Sequence, residues 1–155
     1  MLLHDLHRLR RKLRLSSPAR AGSLALRHVD AGSCNGCEHE LNATASPWYD
    51  LARFGLSITA SPRHADVLLV TGPITTAMVQ PLLAAYEAMP EPRLVAALGN
   101  CAMGRNVLGS PDTIAGPLEE LLPVTVRIAG CPPTPQQIVD GLAPLLGAKA
   151  GQPVT

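Results

Sequence analysis

Leu24-Ala25-Leu26-Arg27-His28-Val29 leads into Cys34-Asn35-Gly36-Cys37, and the reading of this stretch decides the fold. The apolar character of the first part predicts a strand, and the cysteine pair falls just past its end. The same arrangement recurs twice. Leu94-Val95-Ala96-Ala97-Leu98 precedes Cys101, and Val124-Thr125-Val126-Arg127-Ile128 precedes Cys131. Thiols at the ends of several strands of one sheet converge on one point, and four converging thiolates are what an iron–sulfur cluster requires.

Outward from these three segments, strands alternate with helical stretches. A helix is expected over Glu38 to Ala45, broken by Pro47-Trp48-Tyr49-Asp50, with a further turn to Phe54. Leu56 to Ala60 reads as a short strand. Ser61-Pro62-Arg63-His64 reads as a turn, and Val67-Leu68-Leu69-Val70 as a strand buried on both faces. Thr75 or Thr76 is expected to cap a helix over Ala77 to Ala88, and Gly99 to Pro111 to form a long loop. Ile114 to Leu122 is expected to be a short helix despite Pro117, and Pro135 suits the first position of a helix ending near Leu146. The expected fold is α/β: one flavodoxin-like domain over residues 24–147, a mostly parallel sheet with helices on both faces. In such sheets ligands sit beyond the carboxyl ends of the strands, where all three cysteine loops leave. Aromatics make up 3% of the residues, so the core must be aliphatic.

The net charge of +1 conceals a division. Residues 1–20 hold Arg8, Arg10, Arg11, Lys12, Arg14 and Arg20 against Asp5 alone, and the remainder is acidic. Residues 1–23 are expected to form a basic tail and linker whose Leu2, Leu3, Leu6, Leu9 and Leu13 share one helical face. Such a segment suits docking on membrane subunits or anionic lipid, and a disordered basic tail is the competing reading. Residues 148–155 are expected to be a short C-terminal tail. No apolar run approaches the roughly 18–20 residues of a membrane span. The tail has no hydrophobic core or cleavage site of a secretory signal. The expected location is therefore the cytoplasmic side, where thiols stay reduced and four cysteines are better explained by metal or redox chemistry than by disulfides. Zinc, which favours two close ligand pairs, a thioredoxin-like dithiol using the CxxC alone, and ordinary buried cysteines are the alternatives.

His28-Val29-Asp30-Ala31-Gly32-Ser33-Cys34-Asn35-Gly36-Cys37 resembles the small, electron-transferring subunit of energy-conserving, membrane-associated [NiFe] hydrogenases of the formate hydrogenlyase type. The superfamily includes the complex I subunit that carries the terminal cluster. Ala60 to Gly72 and Gly130-Cys131-Pro132-Pro133-Thr134-Pro135 extend the likeness over Leu24 to Leu146. The resemblance implies one [4Fe-4S] cluster on Cys34, Cys37, Cys101 and Cys131. It also implies a large subunit with a [NiFe] centre, a ferredoxin-like electron-transfer subunit, membrane subunits, and a peripheral place on the cytoplasmic side of the inner membrane. Nucleic acid is not among the partners implied. The two residues between Cys34 and Cys37 match the hydrogenases, whereas complex I subunits place these ligands side by side. A complex-I-like quinone reductase subunit is the alternative, and a zinc-binding scaffold the second. Glu40 matches an acidic position of both branches, either a proton carrier or a residue facing the partner. Arg63 and Arg105 are candidates to offset the cluster's charge, against ordinary exposed arginines. For His28, His64, Met103, Trp48 and Tyr49, interface or packing roles are expected ahead of metal binding.

Overall fold

The computed structural model describes residues 23–105 and 109–147. The expected basic tail, apart from Ser23, and the expected C-terminal tail lie outside the described residues. Five parallel strands form the main sheet: β1 (Leu24–Asp30), β2 (Leu56–Ile58), β3 (Val67–Thr71), β5 (Leu94–Leu98) and β7 (Val126–Ile128). Their order is β2-β1-β3-β5-β7, the flavodoxin-like winding, with its topological switch between β1 and β3. β4 (Ile74–Thr75) and β6 (Ile114–Gly116) form a small antiparallel pair. The helices are α1 (Gly36–Ala43), α2 (Val79–Ala88) and α3 (Pro135–Leu142).

The centre of the sheet follows from its composition. All five residues of β3 and all five of β5 are buried, as continuous apolar runs require when helices cover both faces. Leu26, Leu69, Ala96 and Leu98 pack under α1 and α3, against Leu41, Ile138 and Leu142. Val29, Leu68, Val70 and Val95 face the other way, against Leu82 of α2 and Leu118. β2 lies at one edge, with Leu56 buried and Ser57 and Ile58 exposed. At the other edge, Arg127 of β7 leaves the sheet to pair with Glu119 at 2.6 Å.

Helix α3 begins as Pro135 predicts. Thr134 caps it in a reciprocal box with Gln137, and the chain tightens into a 3-10 turn over Ala143–Gly147 after Leu142. Two expectations fail. Ile114 to Leu122 is not a helix: Ile114–Gly116 is β6, and a single 3-10 turn follows over Leu118–Glu120. Pro117, extended at φ −70° and ψ 152°, closes off helix at that point. Neither Thr75 nor Thr76 caps α2. Thr75 lies in β4, and its hydroxyl donates to the Ala31 carbonyl at 3.0 Å. Thr76 opens a 3-10 turn, leaving Met78 at the cap position without a side-chain bond.

Leu69→Ala is expected to lower the unfolding free energy by about 3 kcal/mol through the cavity it leaves. Thr134→Ala, which removes only a helix cap, should cost about 1 kcal/mol. Denaturant titration measures both, and equal losses would contradict the assignment of the core.

Candidate metal centre

The carboxyl ends of β1, β5 and β7 open onto one rim, and each carries cysteine. After β1, the Asp30 carboxylate turns the chain by accepting the amides of Gly32 at 2.8 Å and Ser33 at 2.7 Å. Burial pushes the Asp30 carboxyl up, but these amide bonds outweigh it and hold the group below its ordinary range. Asn35 then takes the left-handed conformation at φ 66° and stands at the cap position of α1. The turn between Cys34 and Cys37 thus rests on Asn35, a residue type that tolerates this region, while Gly36 is already helical. A Cβ on Gly36 would stand 3.5 Å from Cys34 Sγ and 3.8 Å from Pro132, so the first cysteine loop lies against the loop of Cys131.

The other two loops are stitched together. Asn100 N donates to the Gly130 carbonyl at 2.8 Å, and Gly130 N donates back to the Asn100 side chain at 3.0 Å. These two residues directly precede Cys101 and Cys131. Gly99, at φ +88°, completes the junction: a Cβ there would come within 2.6 Å of Cys37 Sγ. Its missing side chain lets that sulfur pack directly against the Gly99 backbone. Asn100 and Gly99 escape a cysteine-centred reading of the sequence, and the signal available was only their position beside Cys101.

All four cysteines are free. Cys34 and Cys131 are exposed, and Cys37 and Cys101 half-buried. Burial first, then the Glu38 carboxylate and the other three thiols, pushes the Cys37 thiol up to about 12. Burial, then Cys131 and Cys34, pushes Cys101 up. The thiols therefore lie within electrostatic reach of one another. Yet among the described residues no three Cys, His, Asp or Glu side chains are grouped to hold a single metal ion. An all-thiol donor set carried on three loops of one rim fits an iron–sulfur core, whose ligands bind separate irons. Binding it would displace the protons that Cys37 and Cys101 hold.

Polar contacts behind the first cysteine loop centre on Glu38. Its Oε2 accepts from Ser33 Oγ at 2.8 Å, and its Oε1 accepts the Thr71 hydroxyl. His28 Nε2 lies 2.8 Å from Thr71 Oγ1 and 3.5 Å from Glu38 Oε1. The single hydroxyl proton of Thr71 goes to Glu38, so His28 donates to Thr71 through Nε2–H. Burial lowers the His28 pKa despite the opposing pull of Glu38 and Asp30. His28 thus belongs to an internal network beneath the cysteine loop, not to an exposed face. Glu40 stands further along α1, half-buried. Arg63 and His64 are exposed on the turn entering β3. That turn is at the opposite end of the sheet from the cysteines, which ends the case for Arg63 as a counter-charge. Arg105 is exposed on the loop of Cys101. Met103 packs against the core on the α2 side, Tyr49 against the core on the α1 side, and Trp48 is 88% exposed.

Comparison with known proteins identifies the family of the chain. Residues 34–145 match the family model of the NADH ubiquinone oxidoreductase 20 kDa subunit. The chain is 44% identical over 115 residues to a probable membrane-bound hydrogenase subunit of Pyrococcus furiosus, covering 74% of this chain and 69% of that one. It is 44% identical over 119 residues to formate hydrogenlyase subunit 7 of Escherichia coli, covering 77% of this chain and 47% of that one. Among solved structures, a chain of the membrane-bound sulfane sulfur reductase, an archaeal respiratory membrane complex, superposes with a TM-score of 0.71 at 31% identity. That match covers 88% of this chain and 74% of that one. These relatives are components of oxidoreductase complexes. The chain belongs to the family of the NADH ubiquinone oxidoreductase 20 kDa subunit.

Proposed function

We propose that this chain is the electron-relay subunit of a hydrogenase-type complex and holds one [4Fe-4S] cluster on Cys34, Cys37, Cys101 and Cys131. The observation that carries the reading is the junction of three cysteine loops at one rim, with Cys37 packed against Gly99. The cluster, when bound, supplies one-electron storage and transfer. The chain's own residues do the rest. Asp30 and Asn35 shape the first cysteine loop, and the Asn100–Gly130 pair holds the second and third loops in register. Cys34 and Cys131 leave the outer side of the site open to a partner surface.

The partner in this reading is a large subunit with a [NiFe] centre, fed or drained by a ferredoxin-like subunit and anchored by membrane subunits. The CxxC spacing of Cys34 and Cys37 and the identity to hydrogenase subunits support it. Among the described residues no helix is long and apolar enough to cross a membrane, in keeping with a peripheral subunit. The family's namesake favours a second reading, a quinone reductase subunit with the same cluster. Nickel in the large subunit that co-purifies separates the two.

Anaerobically purified protein is expected to be brown, with about four irons and matching acid-labile sulfide per chain; zinc without sulfide would remove the relay. Cys131→Ala should abolish the cluster's electron paramagnetic resonance signal, and a retained wild-type spectrum would strike Cys131 from the ligands. Gly99→Ala should cut iron content at least by half, since the new Cβ meets Cys37 Sγ in a backbone conformation that disfavours it. Full loading in that variant would show that the close packing of Cys37 on Gly99 does not matter. Glu40→Gln tests the proton-carrier assignment. Hydrogen turnover of the complex should fall about a hundredfold, the low end for a lost proton-transfer group, with the cluster spectrum intact. Unchanged turnover would leave Glu40 a partner-facing residue.

A further inference from the structure

On the cluster reading above, we propose that Thr71 is a positioning residue for the Cys34 and Cys37 thiolates, acting through Glu38. Thr71 ends β3, which lies between β1 and β5 in the sheet, and both of those neighbours lead into cysteine loops. The turn after β3 carries no cysteine. What it offers instead is a fully buried hydroxyl, at 0% exposure, donated to Glu38 Oε1.

Glu38 follows Cys37 directly, and its other oxygen takes the hydroxyl of Ser33, the residue before Cys34. One carboxylate therefore grips both ends of the cysteine loop. Ser33 Oγ in turn accepts Asn35 N at 3.1 Å, from inside the loop. Thr71 ties this brace to the middle of the sheet, the most deeply buried part of the molecule. His28 braces Thr71 from β1.

The backbone around Thr71 repeats the contact. A Cβ on Gly72 would lie 2.5 Å from Ser33 N, and one on Gly32 would lie 2.5 Å from Thr75 Cγ2. The Thr75 amide and hydroxyl both donate to the Ala31 carbonyl at 3.0 Å. The β3–β4 turn is thus the seat on which the first cysteine loop rests. Groups that orient metal-bound side chains in this way influence metal retention and electronic properties as well as stability. A Thr71 that merely satisfied a half-buried carboxylate would affect stability alone.

The test uses the full chain purified anaerobically with its cluster. Thr71→Val keeps the side-chain shape and removes the hydroxyl. It is expected to alter the reduced-state electron paramagnetic resonance line shape and to speed iron loss to a chelator about tenfold, the low end for such supporting groups. Thr71→Ser, which keeps the hydroxyl, should restore both. A Val variant with wild-type line shape and iron release overturns the proposal, whatever its melting temperature, as does a Ser variant as impaired as Val. If Thr71→Val fails to fold, Glu38→Gln gives the same readout: an altered line shape supports the brace, and a wild-type one overturns it. Wild-type protein without iron or sulfide would overturn the cluster reading itself, before any variant is compared.

Discussion

The three cysteine loops meet because their strands run parallel and pair in one fixed register. Leu26 lies opposite Val67, Val67 opposite Leu94, and Ala96 opposite Val126, so the carboxyl ends of β1, β5 and β7 arrive at the same height. Burial on both faces holds that register. A one-residue slip of β3 or β5 would exchange the residues packed under α1 and α3 with those packed under α2. The hydrophobic core thereby fixes the relative heights of sulfurs that are far apart in sequence.

At the rim itself, apolar packing gives way to a small number of directional bonds. Asp30 turns the first loop, Glu38 braces it, and the Asn100–Gly130 exchange clips the other two together. These groups matter because the thiols do not favour assembling charged. Burial and mutual proximity keep Cys37 and Cys101 protonated. A polynuclear iron core would relieve that repulsion by replacing protons with metal charge. Holding four cysteines close before the core arrives calls for a rigid frame, and the parallel sheet supplies one. The exposed outer pair, Cys34 and Cys131, makes the site a surface feature, suited to short-range electron exchange across a protein interface.

Much of this was legible in residue order. The apolar runs at Val67 to Val70 and Leu94 to Leu98 announced the central strands, since only strands covered on both faces tolerate such continuity. Cys34, Cys37, Cys101 and Cys131 marked the candidate site. Ile114 to Leu122 misled because its apolar spacing suits a short helix. There Pro117 and pairing with Ile74–Thr75 outweighed periodicity. Thr75 was misjudged for a related reason: a threonine before an apolar stretch resembles a cap, until a distant carbonyl claims its hydroxyl. The turn between Cys34 and Cys37 falls on Asn35 and not on Gly36. No local pattern separates those two choices, because Gly and Asn both reach positive φ.

Sequence by itself determined the alternation of strands and helices, the parallel sense of the sheet and the place of the cysteines after its strands, because periodicity and cysteine spacing are local properties. Only the tertiary structure decided that Glu38 braces the cysteine loop, that His28 turns inward, that Arg63 lies at the wrong end, and that Gly99 and Asn100 join the cysteine loops. Those outcomes depend on which side chains from separate strands come within hydrogen-bonding reach, and that distance is fixed by the packing of the whole sheet.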